Sequence, residues 1–326
     1  MPFDGYQRSI HYLRISLTDV CNLRCVYCMP EQMAFRRPAE LLSDAELFRV
    51  IPLFAKMGFD KFRFTGGEPT LRKSLVELIR RTASLPEVRQ VGLTTNGLLL
   101  DQLARPLAEA GLTNVNVSLD TLDPARFREV TRWGNVRDVI EGLEAAGEAG
   151  LRVKINAVAS RGINDATDVI ELARFTLQHD WQVRFIELMP FGNNAEFQTG
   201  HIVREEELRQ RLESEYGRLE PVNEGQLDGE AKVYRIPGAP GTLGFISPVS
   251  SPFCADCNRV RLTADGRLRL CLLRDDEGDL RELLRGGATD DELESFIRAA
   301  IHCKPWGHEL KRSRIPVGRG MSEIGG

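Results

Sequence analysis

No uninterrupted apolar run in this 326-residue sequence approaches the ~18 residues that a membrane-spanning helix requires. The first ten residues, MPFDGYQRSI, also lack the apolar stretch of a signal peptide. The sequence contains no internal repeat and no low-complexity segment. We therefore expect a cytoplasmic protein that has no membrane partner.

An excess of positive charge is missing as well. The formal net charge is −4, so the protein has no global basic field of the kind that attracts nucleic acid. Gly238, Gly241 and Gly244 do not form a phosphate loop, because no lysine and no following helix accompany them. We expect no nucleic-acid partner, and any anion site must be built locally from arginines and lysines that converge.

The cysteines do not form an even set. The chain has seven, an odd number that fits poorly with a disulfide framework. They fall into two groups of three and one single residue, at positions 21, 25 and 28, then 254, 257 and 271, then 303. This distribution predicts two metal centres in a reducing compartment.

Short β-type runs alternate with amphipathic helical segments from residue 11 to about residue 188. Ser43 and Glu46 form a predicted capping box, and Asp123-Pro124 predicts another helix start. Repeated βα units imply a parallel sheet, and six units are too few for a closed barrel of eight. A doubly wound sheet remains an alternative on this pattern. The predicted strands span residues 11–17, 61–65, 90–94, 114–120, 152–158 and 182–188.

Side chains alternate between two unlike faces along most of these strands. One face is apolar, and the other is polar and repeatedly basic, whereas parallel strands buried on both faces read as continuous apolar runs. We infer a sheet curved around a polar lumen, with a solvated face as the alternative. The basic side chains assigned to this lumen are Arg14, Lys61, Arg63, Lys154 and Arg184.

The pattern changes after about residue 190. A loop-like segment precedes a predicted charged helix at 204–215, and short strands separated by glycine and proline follow it. The chain reads as helical again from about residue 290. We therefore predict a core over residues 1–190 and a smaller region over residues 191–326.

The first cysteine group, CNLRCVYC, directly follows the first predicted strand. Three thiols lack the fourth ligand that a structural zinc site needs, so they indicate a centre with one open position. Thiolates favour iron–sulfur clusters or zinc, and a structural zinc site is the alternative.

Two motifs together resemble the radical S-adenosylmethionine (SAM) superfamily. They are the C-x3-C-x2-C spacing with Tyr27 before its third cysteine, and the stretch TGGEP at the end of the second strand. The resemblance implies that Cys21, Cys25 and Cys28 hold a [4Fe–4S] cluster whose fourth iron binds SAM. It also implies a partial (β/α)6 barrel, in agreement with the six βα units.

The second cysteine group comprises Cys254, Cys257 and Cys271. Zinc is again an alternative, with Cys303, His302 or His308 as a fourth ligand, although we expect Cys303 to be a buried thiol. Arg259 and Arg261 follow two residues apart and point the same way if the segment is extended. Guanidinium groups bind phosphate in a bidentate manner, so this pair predicts a phosphate clamp beside the second centre.

Nearly the whole chain, from Leu13 to Gly326, resembles the GTP 3′,8-cyclase family. The matching stretches are LRISLTDVCNLRCVYC, RFTGGEPTLR, LTTNG, NVSLDTLD, VKIN, RFIELMP, FCADCNRVRL, the LCL around Cys271 and the final GG. The resemblance implies an α/β fold: the partial barrel plus a C-terminal α+β region with a second [4Fe–4S] cluster on Cys254, Cys257 and Cys271. It implies these further contacts: Tyr27, Gly67, Ser118 and Met189 with SAM, and Arg14, Arg63, Thr94, Lys154, Arg259 and Arg261 with GTP.

The family's reaction follows as an expectation. A radical made from SAM would take hydrogen from C3′ of GTP, and C3′ would then bond to C8 of guanine, an early step of molybdenum cofactor biosynthesis. The catalytic set implied is Arg259, Arg261, Gly325 and Gly326, with the glycine tail reaching into the site. An external electron donor is expected, and a homodimer is compatible with the sequence. The alternatives are a radical SAM peptide maturase and a zinc-binding interaction module.

Overall fold

The structure is a computed structural model that describes residues 1–192, 195–222, 227–312 and 314–325. Six parallel strands in sequence order form the centre of its sheet. All six coincide with the predicted strands to within two residues at each end. They are β1 (Tyr12–Ser16), β2 (Lys61–Thr65), β3 (Gln90–Thr95), β4 (Asn114–Ser118), β5 (Arg152–Ala159) and β6 (Gln182–Glu187).

Helices connect these strands, and local sequence sets where several of them begin. Ser43 and Glu46 form the predicted capping box, and the Asp123 side chain accepts a hydrogen bond from the Arg126 backbone N–H. The helices of this half are α1 (Asp44–Lys56), α2 (Leu75–Ala83), α3 (Leu100–Glu109), α4 (Pro124–Thr131), α5 (Val136–Glu148), α6 (Thr167–Ala173) and α7 (Phe175–Gln178).

The strand order separates the two predicted architectures. A doubly wound sheet reverses its strand order at a switch point, whereas here β1 to β6 run consecutively. The end strands of the sheet do not pair with each other among the described residues, so the barrel stays open. The fold is therefore the predicted partial (β/α)6 barrel.

Strands from the C-terminal half extend this sheet at both edges. Strand β11 (Arg259–Leu262) pairs in parallel with β1, and β10 (Thr242–Ile246) pairs in parallel with β6. The remaining strands are antiparallel: β7 (Glu220–Pro221), β8 (Leu227–Asp228), β9 (Ala231–Arg235), β12 (Arg267–Arg269) and β13 (Glu277–Asp279).

The C-terminal helices agree with the sequence pattern. The predicted charged helix is present as α9 (Glu205–Tyr216), and the chain is helical again from Asp290. None of the helices among the described residues is long and apolar enough to cross a lipid bilayer. The helices of the C-terminal half are α8 (Ala195–Gly200), α9 (Glu205–Tyr216), α10 (Leu280–Arg285), α11 (Asp290–His302) and α12 (Met321–Ile324).

The two faces of the sheet differ as the alternation predicted. The outer face packs under the helices through apolar side chains such as Leu13 and Phe62, which are fully buried. The inner face carries polar side chains that are also buried, among them Arg63, Asn116 and Arg184 at 4–5% exposure. The inner face is therefore enclosed, and the alternative of a solvated face is wrong.

Strand register brings basic side chains side by side on this inner face. Arg14 of β1 stands opposite Arg63 of β2 on one side and Arg261 of β11 on the other. Tyr12 is likewise flanked by Lys61 and Arg259. Arginines that lie almost 250 residues apart in sequence thus form one row across three strands.

Candidate functional site

One cavity of about 310 Å³ contains the six grouped cysteines in its wall. Cys21, Cys25 and Cys28 reach it from the loop after β1, and Cys254, Cys257 and Cys271 reach it from the C-terminal region. The two cysteine groups therefore face a common space. Molecules bound at the two groups could react with each other only if they share such a space.

The loop after β2 holds the first cysteine loop in place. The Gly67 N–H donates to the Thr18 carbonyl oxygen at 2.6 Å, and the Glu68 N–H donates to the Val20 carbonyl oxygen at 2.8 Å. A Cβ atom on Gly67 would lie 2.4 Å from the Val20 oxygen and 2.6 Å from the Asp19 oxygen. Only glycine allows this approach, so Gly67 fixes the backbone that leads into Cys21.

Glu68 ties this loop to the end of β3. Its buried carboxylate accepts hydrogen bonds from Thr70 Oγ1 at 2.6 Å, Thr95 Oγ1 at 2.7 Å and the Asn96 N–H at 2.7 Å. Burial raises the pKa of Glu68, although these donors favour its charged form. Asn96 in turn donates to Asn22 Oδ1 at 2.7 Å, beside Cys21. Sequence reasoning gave Glu68 and Asn96 no role, although the motifs TGGEP and LTTNG contain them.

Tyr27 is oriented from the end of β4. Its hydroxyl donates to Asp120 Oδ2 at 2.7 Å, and Asp120 Oδ1 accepts the Val158 N–H at 2.8 Å. Burial raises the pKa of Asp120 to about 6. Tyr27, Gly67, Ser118 and Met189 all line the cavity, so the four residues assigned to SAM lie together.

The second cysteine group is held by a segment that follows α11. Arg8 donates to the Cys254 carbonyl oxygen at 2.6 Å and to the Trp306 carbonyl oxygen at 2.7 Å. A Cβ atom on Gly307 would lie 2.7 Å from Cys254 Sγ, so this segment packs closely against the thiol. No local motif marks Arg8 or Gly307, because their partners lie far away in sequence.

Lys304 brings a positive charge to the same place. It is 3% exposed, lines the cavity and donates to the Leu270 carbonyl oxygen. Burial raises the pKa of Cys271. Burial also acts to raise the pKa of Cys257, but the charges of Lys304 and Arg259 outweigh it and lower that pKa. The environment therefore favours a thiolate at Cys257.

The thiols of each group fit an iron–sulfur cluster, because thiolates are the soft ligands that such clusters take. All six are free thiols, and the described residues contain no group of three or more His, Cys, Asp or Glu side chains that could hold one metal ion. Zinc needs its ligands to converge on one point at about 2.3 Å. In a [4Fe–4S] cluster each thiolate binds a different iron, so the thiols of one group need not converge on a single point.

The residues considered as a fourth zinc ligand do not complete the second group. Both ring nitrogens of His308 form hydrogen bonds. Nε2 donates to the Pro248 carbonyl oxygen at 2.8 Å, and Nδ1 accepts the Leu310 N–H at 3.3 Å. His302 is exposed. Cys303 is exposed as well, and the prediction that it is a buried thiol is wrong, because the C-cap position of α11 turns it to solvent.

The residues assigned to GTP divide into two sets. Arg14, Thr94, Arg259 and Arg261 line the cavity. Arg63 and Lys154 are not among the described lining residues. The Arg63 guanidinium donates to the Tyr12 hydroxyl at 2.8 Å and the Leu93 carbonyl oxygen at 2.7 Å, and Lys154 lines a separate pocket near the start of β5.

The C-terminal tail reaches the same arginines. The Gly325 carbonyl oxygen accepts hydrogen bonds from Thr65 Oγ1 at 3.1 Å and from Arg14 and Arg261 at 3.4 Å each. The φ angle of Gly325 is 75°, which lies in the left-handed region that favours glycine. Gly326, the other glycine of the predicted catalytic set, lies outside the described residues.

An ion-pair network anchors the segment before this tail. Arg319 is 8% exposed, donates to both carboxylate oxygens of Asp265 at 2.9–3.0 Å and reaches Glu277 at 2.7 Å. We expect Arg319→Met to lower the free energy of unfolding by about 2–3 kcal/mol, because two partly buried carboxylates lose a partner. Urea unfolding measures this loss.

Arg314→Met is the matched control for Arg319→Met. Arg314 also pairs with a carboxylate, Glu309, at 3.0 Å, but its side chain is 71% exposed. Exposed pairs contribute little, so we expect a change below about 0.5 kcal/mol. Equal losses in the two variants would show that the buried network contributes no more to stability than an exposed ion pair.

Comparisons with known proteins identify the family of this chain. Residues 15–175 match the family model described as Radical SAM superfamily, and residues 181–310 match Molybdenum Cofactor Synthesis C. Over 99% of both chains, the GTP 3′,8-cyclases of Thermodesulfovibrio yellowstonii and Pelotomaculum thermopropionicum are 44% and 46% identical to this one. SuiB of Streptococcus suis, solved with its precursor peptide SuiA, gives a TM-score of 0.61 over 90% of this chain and 67% of its own. At 16% identity, this likeness shows the fold alone.

The open barrel, the cysteine loop after β1 and the family models together define a radical SAM enzyme, a class that uses SAM and an iron–sulfur cluster. Within that class, the chain belongs to the GTP 3′,8-cyclase family. Membership of this family separates it from the peptide maturases and zinc modules that sequence patterns alone left open.

Proposed function

We propose that the chain converts GTP into (8S)-3′,8-cyclo-7,8-dihydroguanosine 5′-triphosphate, an early step of molybdenum cofactor biosynthesis. One observation carries the proposal: both cysteine groups and Arg14, Arg259 and Arg261 line a single cavity. A nucleotide held by the arginines would lie between the two groups.

Two [4Fe–4S] clusters complete the proposed site, one on each cysteine group. When bound and reduced, the first cluster supplies the electron that cleaves SAM and yields a carbon radical, so an external electron donor is required. Tyr27, Gly67, Ser118 and Met189 would contact SAM. Cys254, Cys257 and Cys271 would hold the second cluster, in the cavity whose wall also contains the arginines assigned to the nucleotide.

The protein's own task is placement and exclusion. A carbon radical reacts with almost any nearby C–H bond, so the sugar of GTP must be fixed and water kept away. Charge-assisted hydrogen bonds from Arg14, Arg259 and Arg261 would fix the triphosphate. The Gly325 carbonyl oxygen touches two of these arginines, which supports a role for the glycine tail at the same place.

The two regions would divide this task between them. Residues 1–190 would bind SAM and form most of the barrel, and residues 191–326 would supply the second cluster, the arginine pair of β11 and the tail. The pairing of β10 and β11 with the outer strands of the barrel supports this division.

Removal of the arginine pair tests GTP as the substrate. We expect Arg259→Ala and Arg261→Ala each to weaken GTP binding about tenfold or more, because a hydrogen bond to a charged group contributes ~1.5–3 kcal/mol. SAM cleavage should stay within about twofold of the unmodified protein, since SAM is assigned to the first cysteine group and not to these arginines. Anaerobic titration calorimetry and mass spectrometry of the products measure both.

Arg267→Ala is the control for the arginine pair. Arg267 lies in the neighbouring strand β12, pairs with Asp279 at 2.7 Å and is not among the described residues of the cavity wall. It should leave GTP affinity unchanged. Unaltered GTP affinity in both Arg259→Ala and Arg261→Ala would count against the phosphate clamp.

A further inference from the structure

An acidic side chain occupies the basic end of the cavity. Glu230 lies in the turn between β8 and β9 and lines the cavity, with its Oε2 atom 3.4 Å from Arg259 Nη2. Burial raises the pKa of Glu230, but the charges of Arg259, Arg184, Arg14 and Arg63 outweigh burial and hold it well below its usual range. The Glu230 carboxylate is therefore a bound anion supplied by the chain itself.

Glu230 differs from the other carboxylates described in the cavity wall. Glu68 accepts hydrogen bonds from Thr70, Thr95 and the Asn96 N–H, and Glu187 accepts from the N–H groups of Val249 and Ser250 at 2.9 Å. Both support loops of the fold. Glu230 instead pairs with an arginine that is assigned to the substrate.

We propose that Glu230 occupies an anion subsite in the substrate-free chain and that a phosphoryl group of the nucleotide takes its place. This inference rests on the proposed function, because it requires a nucleotide whose phosphates reach Arg259. Carboxylate and phosphoryl oxygens accept the same guanidinium hydrogen bonds. Two anions cannot share one subsite without strong repulsion, so binding must displace Glu230.

The surroundings of Glu230 permit this displacement. Gly229 precedes it with a φ of 68°, and nothing lies within 4 Å of a Cβ atom placed there. Gly229 is exposed as well, so this side of the turn is unobstructed, and we expect the turn to move without repacking the core. Ala231, the next residue, is fully buried at the start of β9. We therefore expect the turn to move while β9 keeps its position.

Displacement gives Glu230 a role in specificity. Each nucleotide must replace the carboxylate before its phosphates reach Arg259, and a ligand with more phosphate charge gains more in return. Guanosine gains nothing from Arg259 and should not compete with Glu230. The subsite thus favours nucleotides whose phosphate chain is long enough to reach it.

Glu230→Gln tests the proposal because it keeps the shape of the side chain and removes the charge. We expect GTP affinity to rise about tenfold, with guanosine affinity unchanged and inorganic triphosphate becoming a stronger competitor. Anaerobic calorimetry with GTP, GDP, GMP, guanosine and inorganic triphosphate measures the series. SAM binding, which is assigned to Tyr27, Gly67, Ser118 and Met189, reports that the variant is folded.

Glu220→Gln is the matched control, since it removes the same charge from exposed strand β7, which pairs with β9 at the edge of the sheet. It should leave every affinity unchanged. A Glu230→Asp variant, with its charge kept on a shorter stem, should bind GTP with an affinity between those of the unmodified protein and Glu230→Gln.

Failure of this inference differs from failure of the proposed function. If the unmodified protein neither binds nor converts GTP, the proposed function fails. If it converts GTP, but Glu230→Gln binds GTP equally or more weakly, Glu230 does not compete with phosphate and the inference is overturned.

Discussion

Gly67→Ala is expected to abolish SAM cleavage, with a loss of at least about a hundredfold. The new Cβ atom would stand 2.4 Å from the Val20 oxygen and 2.6 Å from the Asp19 oxygen. Both are backbone atoms, so the loop before Cys21 must move. A displacement of ~1 Å in a reacting group can cost about a hundredfold in rate. The variant should also bind less iron, which anaerobic iron analysis detects independently of activity.

Gly200→Ala is the control for this substitution. A Cβ atom on Gly200, at the end of α8, meets nothing within 4 Å, and its φ is not in the left-handed region. We expect full iron content and unchanged SAM cleavage. Full iron content and activity in Gly67→Ala would mean that the close approach of the two loops does not hold the first cluster.

Gly325→Ala is expected to lower GTP conversion about a hundredfold while SAM cleavage is largely kept. The added Cβ atom would lie 2.7 Å from Thr65 Cγ2 and 3.0 Å from Ser16 Cβ, between β1 and β2. The left-handed φ of 75° adds ~1–2 kcal/mol for any residue other than glycine. The tail should therefore leave its position, and the Gly325 carbonyl oxygen should lose Arg14 and Arg261.

Gly287→Ala separates backbone strain from the steric clash. Gly287 has a similar φ of 83°, but nothing lies within 4 Å of a Cβ atom there. We expect a small loss of stability and normal GTP conversion. Mass spectrometry of the cyclised product and of cleaved SAM measures both reactions in each variant. Normal conversion in Gly325→Ala would remove the tail from the catalytic set.

Local sequence was sufficient for the six strands and for the grouping of the cysteines, whereas the choice of a partial barrel over a doubly wound sheet came from the family resemblance. The alternation in β1 and β2 placed Leu13 and Phe62 under the helices and Arg14 on the inner face, and the structure confirms each. The strand periodicity carries this information because one buried face fixes which residues point inward.

Contacts between distant segments account for what the sequence could not predict. Arg8 binds the carbonyl oxygen of Cys254, 246 residues away, and no local pattern marks either partner. Arg63 faces inward as predicted, yet Tyr12 and the Leu93 carbonyl oxygen engage its guanidinium. Glu230 carries no motif, and it reaches Arg259 of β11 from the turn before β9, a strand at the opposite edge of the sheet.

Counting iron and sulfide in anaerobically purified protein tests the central claim, that each cysteine group holds its own cluster at one shared cavity. We expect about eight irons and eight sulfides per chain, because each [4Fe–4S] cluster contains four of each. Cys254→Ala and Cys21→Ala should each retain about half of that content. About four irons in the unmodified protein, with Cys254→Ala unchanged, would contradict the account.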